Sequence, residues 1–398
     1  MSTLPPDSVW TKGLWRGKLL HVALRPALSV FFRVRNRFHY KAYKPESKTF
    51  LLLTNHNSTC DHFLNALGVR SYIRFVVSDH LMRKGFGSAV LKFLVNPIPR
   101  RKGTSGQPTV EMIKQNLRLG IPVIMYAEGN RSFNGRTGFI SPRTGQLVKD
   151  AEGSLITYRI DGAYMQTPRW GHTLRKGPLY GQVVHEYPRE ELDKMSVEEI
   201  NAHIHEDLYS DAYAYQREHK FRYPGKGLAE HLETTLFVCP VCGKIDTLKS
   251  SGDRFFCKCG FETKVNEYGF FEGGRFETVY DWDMWQRGEL KRMADTAKSG
   301  SSVITRDTDT ILYEVNGDNK KVLGSGLELT LESDRMVFSN AINKFEFKLA
   351  DMKATAVAHT AFLYFSCLDK YYEVHCAHIW PANKYFAFHR IINGMEYV

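Results

Sequence analysis

Between residues 49 and 225, short apolar runs alternate with helix-like stretches, and no other feature constrains the fold of this chain as tightly. TFLLLT (49–54), YIRFVVS (72–78), IPVIMYA (121–127) and LITYRI (155–160) have the length and apolar character of buried strands. Between them lie DHFLNALG (61–68), GSAVLKFLV (87–95) and TVEMIKQNLRLG (109–120), which carry helical spacing. Strands with helices between them predict an α/β domain, a mixed sheet with helices against its faces. Gly120 predicts a helix C-cap. Further on, Ser196 and Glu199 predict a capping box at the start of a polar helix.

The chain is longer than one such domain requires. At about 100–200 residues per domain, 398 residues suggest two to four. Residues 13–40 mix Leu, Val, Phe and Trp15 with arginines, and Pro26 predicts two short helices with a break. A basic amphipathic segment of this kind suits a lipid interface, and an arm packed on the neighbouring domain is the plainer alternative. Residues 235–275 gather paired cysteines, glycines and aromatics. From about 295 onward, eight short strand-like runs precede NKYFAFHRIINGMEYV, which reads as a closing helix. This pattern predicts a small β-barrel or sandwich. The expected division is therefore an arm (1–40), the α/β domain (41–228), a cysteine module (235–275) and a β-rich domain (295–398).

The formal charge of +11 favours an anionic partner: nucleic acid, an acidic membrane surface or a phosphorylated substrate. Most of the excess sits in residues 1–48, where ten Lys or Arg face only Asp7 and Glu46. No secretory signal is visible in MSTLPPDSVW. The apolar stretch 19–32 is too short for a membrane span and is interrupted by His21, Arg25 and Pro26. A soluble or peripheral protein is expected, cytoplasmic and on the inner face of the membrane. Seven cysteines, four of them in two tight pairs, point to a metal in a reducing compartment and not to a disulfide framework. Cys239-Pro-Val-Cys242-Gly and Cys257-Lys-Cys259-Gly look like the two knuckles of a zinc ribbon. Four thiolates suit a structural tetrahedral zinc, with iron as the minority option, and leave no open coordination position for catalysis.

His56 and Asp61 stand where an apolar run ends and a helix begins, in TNHNSTCDHF. Within one continuous helix they would point about 140° apart, at roughly 100° per residue. With His56 in the preceding turn and Asp61 in the first helical turn, the carboxylate can reach the ring. Such a pair holds one tautomer and stabilises the imidazolium, so the ring can take a proton from a substrate hydroxyl. The plain alternative is a surface histidine beside an acid at a helix N-terminus. Cys60 is expected to pack as a small apolar residue. YAEGNRS (126–132) places Glu128, Gly129, Asn130 and Arg131 at another strand end, where Gly129 admits close backbone approach and Arg131 offers a fork for phosphate. NPIPRRKG (96–103) clusters Arg100, Arg101 and Lys102.

The order TNHxxxxD, basic turn, YxEGxRS resembles the glycerolipid acyltransferases, and among them the 1-acyl-sn-glycerol-3-phosphate acyltransferases. The likeness covers roughly residues 35–225. It implies a glycerolipid acyltransferase fold, His56 as general base and Asp61 as its orienting partner. By the same resemblance, Arg100 or Arg101 would bind glycerol phosphate together with Glu128, Gly129, Asn130 and Arg131. The reaction implied is transfer of a fatty acyl group from an acyl-CoA or acyl carrier protein thioester to lysophosphatidate, giving phosphatidate in phospholipid biosynthesis. An acidic membrane surface, a lysophospholipid and acyl carrier protein are the partners that follow, with nucleic acid not expected. The chain departs from the family pattern at Ala127 (usually Pro), at Asn130 (usually Thr) and at Arg100–Arg101 (usually Asp-Arg). LITYRIDGAY (155–164) lacks the proline of a fourth block. The C-terminal strands and helix resemble a pleckstrin-homology-like (PH-like) domain. A zinc-ribbon protein that binds nucleic acid is the competing class, since basic charge serves both.

Overall fold

The computed structural model describes residues 4–79, 82, 85–298, 303–317, 319–358 and 362–395. The chain forms two compact units. One comprises Met1–Arg101, Gly106–Pro168 and Leu174–Pro224. The other comprises Lys102–Ser105, Arg169–Thr173 and Gly225–Val398. Thus the arm and the α/β region share a unit, as do the cysteine module and the β-rich region.

The first unit is built on seven strands: β1 Phe38–Tyr40, β2 Phe50–Thr54, β3 Arg74–Ser78, β4 Ile98–Arg100, β5 Val123–Tyr126, β6 Ser154–Asp161 and β7 Leu179–Tyr187. Their order is β1-β7-β6-β2-β5-β3-β4. Neighbours from β6 to β4 run parallel, β7 pairs antiparallel with β6, and β1 runs parallel to β7. The sheet is therefore mixed: the alternating pattern accounts for its parallel strands, and β7 adds the antiparallel pairing. β2 lies at its centre and is buried at every residue. Side chains alternate across a strand, so Leu51 and Leu53 join one core and Phe50 and Leu52 the other. The first core holds Ile113 and Leu117 of helix Gln107–Arg118, and Ile200 and Ile204 of helix Val197–Leu208. The second holds Phe32 of helix Leu14–Arg35 and Leu64 and Leu67 of helix Asp61–Gly68. Burial on both faces explains why these strands read as continuous apolar runs.

The local signals are met in the structure. Gly120 takes φ +68° just beyond helix Gln107–Arg118. Ser196 Oγ accepts from Glu199 N, while the Glu199 carboxylate accepts from Ser196 N. The expected break at Pro26 is corrected: one 22-residue helix, Leu14–Arg35, runs through it. Tertiary contacts hold it there. Arg25 Nη1 donates to the carbonyls of Ala66 and Val69 at the end of helix Asp61–Gly68. Gly17 lies so close to Tyr72 that a Cβ would fall 2.6 Å from its ring. One lost backbone hydrogen bond does not outweigh these attachments.

In the second unit β8 Leu248–Ser251, β9 Arg254–Cys257, β10 Glu262–Val265 and β11 Phe271–Glu272 form an antiparallel ribbon. Trp282, on helix Val279–Lys298, packs on Phe255 and Phe271 and donates its Nε1 proton to the Val238 carbonyl. The rest is one antiparallel sheet of β12 Thr305–Asn316, β13 Asn319–Leu331, β14 Arg335–Ser339, β15 Lys344–Lys348, β16 Met352–Ala358, β17 Phe362–Cys367 and β18 Lys370–Cys376. Its order is β15-β14-β13-β12-β18-β17-β16. Two of the strand-like runs merge in β12, which pairs with β13 on one side, with register shifts between Asp307 and Tyr313, and with β18 in regular register on the other. The barrel or sandwich expected from sequence is thus a single continuous ladder whose edges, β15 and β16, do not pair among the described residues. Helix Asn383–Ile392 follows.

Candidate active site

The carboxyl ends of the parallel strands carry the candidate residues. His56 follows β2, Arg100 ends β4 and Glu128 follows β5, a common place for a site in an open α/β sheet. Thr54, Asn55 and Asn57 are buried, so the loop after β2 is held and not draped. Asn55 exchanges two hydrogen bonds with the backbone of Ile160, each 3.0 Å.

Asp61 opens its helix with its side chain buried. Its Oδ2 faces His56 Nδ1 at 2.8 Å and also accepts from the backbone N–H groups of Asn57 and Ser58, both at 2.9 Å. Three donors converge on one oxygen, which fixes the carboxylate and, through it, the ring. The His56 side chain is 18 % exposed, so its edge reaches solvent while Asp61, at 1 %, does not. The ring stacks on Tyr126 with centroids 4.0 Å apart and planes at 19°. With Nδ1 facing Asp61, a proton from a substrate would be taken at Nε2.

The second motif does something the sequence did not suggest. Glu128 Oε1 accepts from the backbone N–H of His56 at 3.0 Å and Oε2 from that of Gly138 at 2.6 Å. Ser132 N donates to the His56 carbonyl at 3.0 Å. Arg131 Nη2 donates to the carbonyls of Asn57 and Thr167. YAEGNRS thus grips both backbone polar groups of the histidine and one of its neighbour's. Burial pushes the Glu128 carboxyl up to about 7, against the pull of its two amide donors. Burial also lowers the Arg131 guanidinium, and the nearby Asp61 charge opposes that fall. Gly129 sits at φ +67° with open space where a Cβ would be, so the turn's backbone conformation by itself favours glycine. Asn130 is half-buried between them. Arg101 Nε lies 3.3 Å from Asp79 Oδ2, and Arg100 Nη1 donates to the Arg101 carbonyl. Cys60 packs against the apolar cluster under the sheet.

Two neighbours escaped the sequence reading. Tyr126 forms the floor under His56, and burial raises its hydroxyl well above 10. Its signal was the aromatic that opens YAEGNRS. His62 stands edge-on to His56, with ring centroids 6.5 Å apart, and burial lowers it to about 4, so it stays neutral near pH 7. Its place directly after Asp61 was the only hint.

Replacing Glu128 by glutamine tests the grip. The two N–H donors sit on different oxygens, so glutamine would keep an acceptor for one and turn its NH₂ toward the other. The urea midpoint should fall by the equivalent of about 1–3 kcal/mol. Turnover should fall roughly tenfold or more if the loss reaches the His56 backbone. Unchanged turnover would show that His56 does not depend on this contact.

In the second unit Cys239, Cys242, Cys257 and Cys259 bring four sulfurs within 4.8 Å of one another, a group that could hold a metal ion. Cys239 and Cys259 Sγ are 3.7 Å apart, and Cys242 and Cys257 Sγ 3.8 Å. Gly243 (φ +68°) and Gly260 (φ +95°) turn the chain after each pair, and Gly243 N donates back to the Cys239 carbonyl.

Residues 35–161 match the protein-family model described as Acyltransferase. That segment contains His56, Asp61, Arg100, Arg101, Glu128, Gly129, Asn130 and Arg131. Among solved structures, the crystal structure of the 1-acyl-sn-glycerophosphate (LPA) acyltransferase, PlsC, from Thermotoga maritima shares 18% identity. The alignment covers 48% of this chain and 75% of that one, with a TM-score of 0.39. No curated protein matches the chain.

Proposed function

We propose that the chain transfers a fatty acyl group from an acyl thioester to the free hydroxyl of lysophosphatidate, giving phosphatidate, with His56 as general base. The observation that carries this reading is the His56–Asp61 pair, 2.8 Å apart and locked by two backbone donors inside the segment that matches the Acyltransferase family. The pair activates a hydroxyl, and no protein nucleophile is required. His56 Nε2 removes the hydroxyl proton as the oxygen attacks the thioester carbonyl carbon. The C–S bond then breaks, and the leaving thiolate receives the proton from the imidazolium, which returns His56 to its neutral form. Asp61 stabilises the charged ring between the two steps. Arg100, Arg101 and Arg131 supply cations for the acceptor phosphate, and Asn130 a polar contact. Glu128 and Gly129 shape the loop that holds the histidine.

The donor is an acyl-CoA or an acylated acyl carrier protein. The second reading within this class is another glycerophospholipid acceptor, favoured by the Arg100–Arg101 turn and by the unusual LITYRIDGAY block. The test is acyl transfer by the full chain from both donors to lysophosphatidate, glycerol 3-phosphate and neutral lysophospholipids. Highest kcat/KM with lysophosphatidate supports the assignment. Preference for another acceptor, or no transfer to any, overturns it.

The lipid substrate makes a membrane surface the natural place of work. No helix among the described residues is long and apolar enough to cross a membrane. Helix Leu14–Arg35 instead turns Trp15, Leu19, Val22, Val30 and Val34 away from the core, each more than half exposed. At roughly 100° per residue these positions form one stripe opposite the buried Gly17 and Phe32. A stripe of this kind suits a helix lying in the interface of the cytoplasmic leaflet. For the cysteine cluster we infer structural zinc. Zn–S bonds of about 2.3 Å put tetrahedral sulfurs about 3.8 Å apart, close to the two distances found. Two antiparallel meanders, β12 to β15 and β16 to β18, joined through β12 and β18 and followed by the final helix, support a PH-like reading of the C-terminal region.

A further inference from the structure

A basic cavity lies beside the exposed stripe of helix Leu14–Arg35 and away from His56. Its volume is about 490 Å³, and Arg25, Arg33, Lys41, Arg70, Tyr40 and Ser29 line it, with no acidic residue among its walls. Arg33, Lys41 and Arg70 are exposed at its rim. Arg25 closes one side, its guanidinium spent on the carbonyls of Ala66, Leu67 and Val69 while its charge remains. Tyr40 donates to Ser29 Oγ at 2.8 Å, and the Arg33 guanidinium lies 4.8 Å from the Tyr40 ring centre. These contacts build a rigid wall from two separate elements.

Four like charges with no acidic residue among the described walls around them raise the local potential and cost stability unless an anion shares it. The acyl-transfer centre does not use this charge. Arg25 grips the carboxyl end of helix Asp61–Gly68, while Asp61 opens the other end, about 10 Å away at 1.5 Å per residue. The charge does belong with the stripe. Pro26 and Arg33 lie on the same face of the helix as Val22 and Val30, and Ser29 at its edge. A helix lying in the interface would bring this cavity to the depth of the lipid phosphates.

We propose that Arg33, Lys41 and Arg70, with Arg25 behind them, receive the headgroup phosphate of an anionic phospholipid, at a site separate from the acyl-transfer centre. This rests on the membrane-surface reading above. The bound lipid is a tether, not the acceptor: it fixes the rotation of the helix about its axis and with it the aim of the domain above.

The test measures binding of the full chain to vesicles of phosphatidylcholine alone and of phosphatidylcholine with phosphatidylglycerol. Wild type should bind the mixed vesicles more tightly. The variant R33Q/K41Q/R70Q should lose that gain, at roughly fivefold per charge removed, and keep its binding to phosphatidylcholine alone. The variant R118Q/R143Q/K194Q removes equal charge at exposed positions outside the cavity and should keep the gain. Retention of the gain by the first triple, or equal loss in both, overturns the proposal and leaves the membrane reading standing. Failure of wild type to bind either vesicle overturns both together. Inorganic phosphate replacing chloride at equal ionic strength should leave the gain intact. If it abolishes the gain, the cavity takes free phosphate and the lipid assignment fails.

Discussion

His56→Ala should lower acyl transfer to lysophosphatidate by about 10²- to 10⁴-fold, the range that a positioned general base contributes. Removing the ring removes the proposed base while leaving the carboxylate site largely intact, because Asp61 Oδ2 keeps its donors from Asn57 and Ser58. The loss should therefore appear in kcat, with KM for the lysophospholipid little changed. Asp61→Asn should cost less. The two backbone N–H groups demand an acceptor, so the amide oxygen takes the place of Oδ2 and the ring keeps a partner for Nδ1. What disappears is the negative charge that stabilises the imidazolium. A chevron or urea curve close to wild type for both variants separates chemistry from folding. Equal activity in His56→Ala and wild type, with fold retained, would remove His56 from the mechanism.

The local parts of this site were legible because local rules govern them. FLLLT before NHNSTCD, and DHFLNALG after it, set a strand, a turn and a helix within a residue or so of their observed limits. Given that turn, Asp61 had one short path to the ring. What the chain does not spell out is which motif holds which. The Glu128 carboxylate closes a contact across 72 residues to the His56 amide. Only the parallel pairing of β2 with β5 brings it there. From sequence alone a Glu beside an Arg suggests ligand binding. In the structure both oxygens of that Glu are committed to backbone donors. Pro26 taught the same lesson in reverse: a local helix breaker gave way to contacts made by Arg25 and Gly17 with residues more than forty positions away. The cysteine pairs were legible because thiolate spacing and the following glycines act within a few residues. The single ladder of the C-terminal sheet was not, since it depends on β12 serving two neighbours.

Removing the proposed zinc should destabilise much more than the ribbon that would hold it. The ribbon is small, and its knuckle loop runs through Asp246, which takes φ +61°. That carboxylate lies 2.5 Å from Lys384 Nζ, and Asp307 of β12 lies 2.9 Å from the same atom. Lys384 is on the C-terminal helix and its side chain is fully buried. Thr305 Oγ1 also donates to Asp246 at 2.9 Å. One buried ammonium therefore joins the cysteine loop, the first strand of the large sheet and the closing helix. Burial raises the Asp246 carboxyl, and the Lys384 charge holds it down. If the knuckles open, Asp246 leaves and Lys384 keeps only its Asp307 contact, a loss of one charged hydrogen bond that costs about 1–3 kcal/mol. For a unit of this size that corresponds to a fall in melting temperature of roughly 2–12 °C. Metal analysis should find one zinc per chain in the purified protein. Chelation, or Cys257→Ser, should shift the calorimetric transition of the second unit by that amount. A ribbon that loses its metal with no change in this transition would show that the Lys384 clamp does not couple the two modules, and a protein purified without bound metal would refute the zinc assignment.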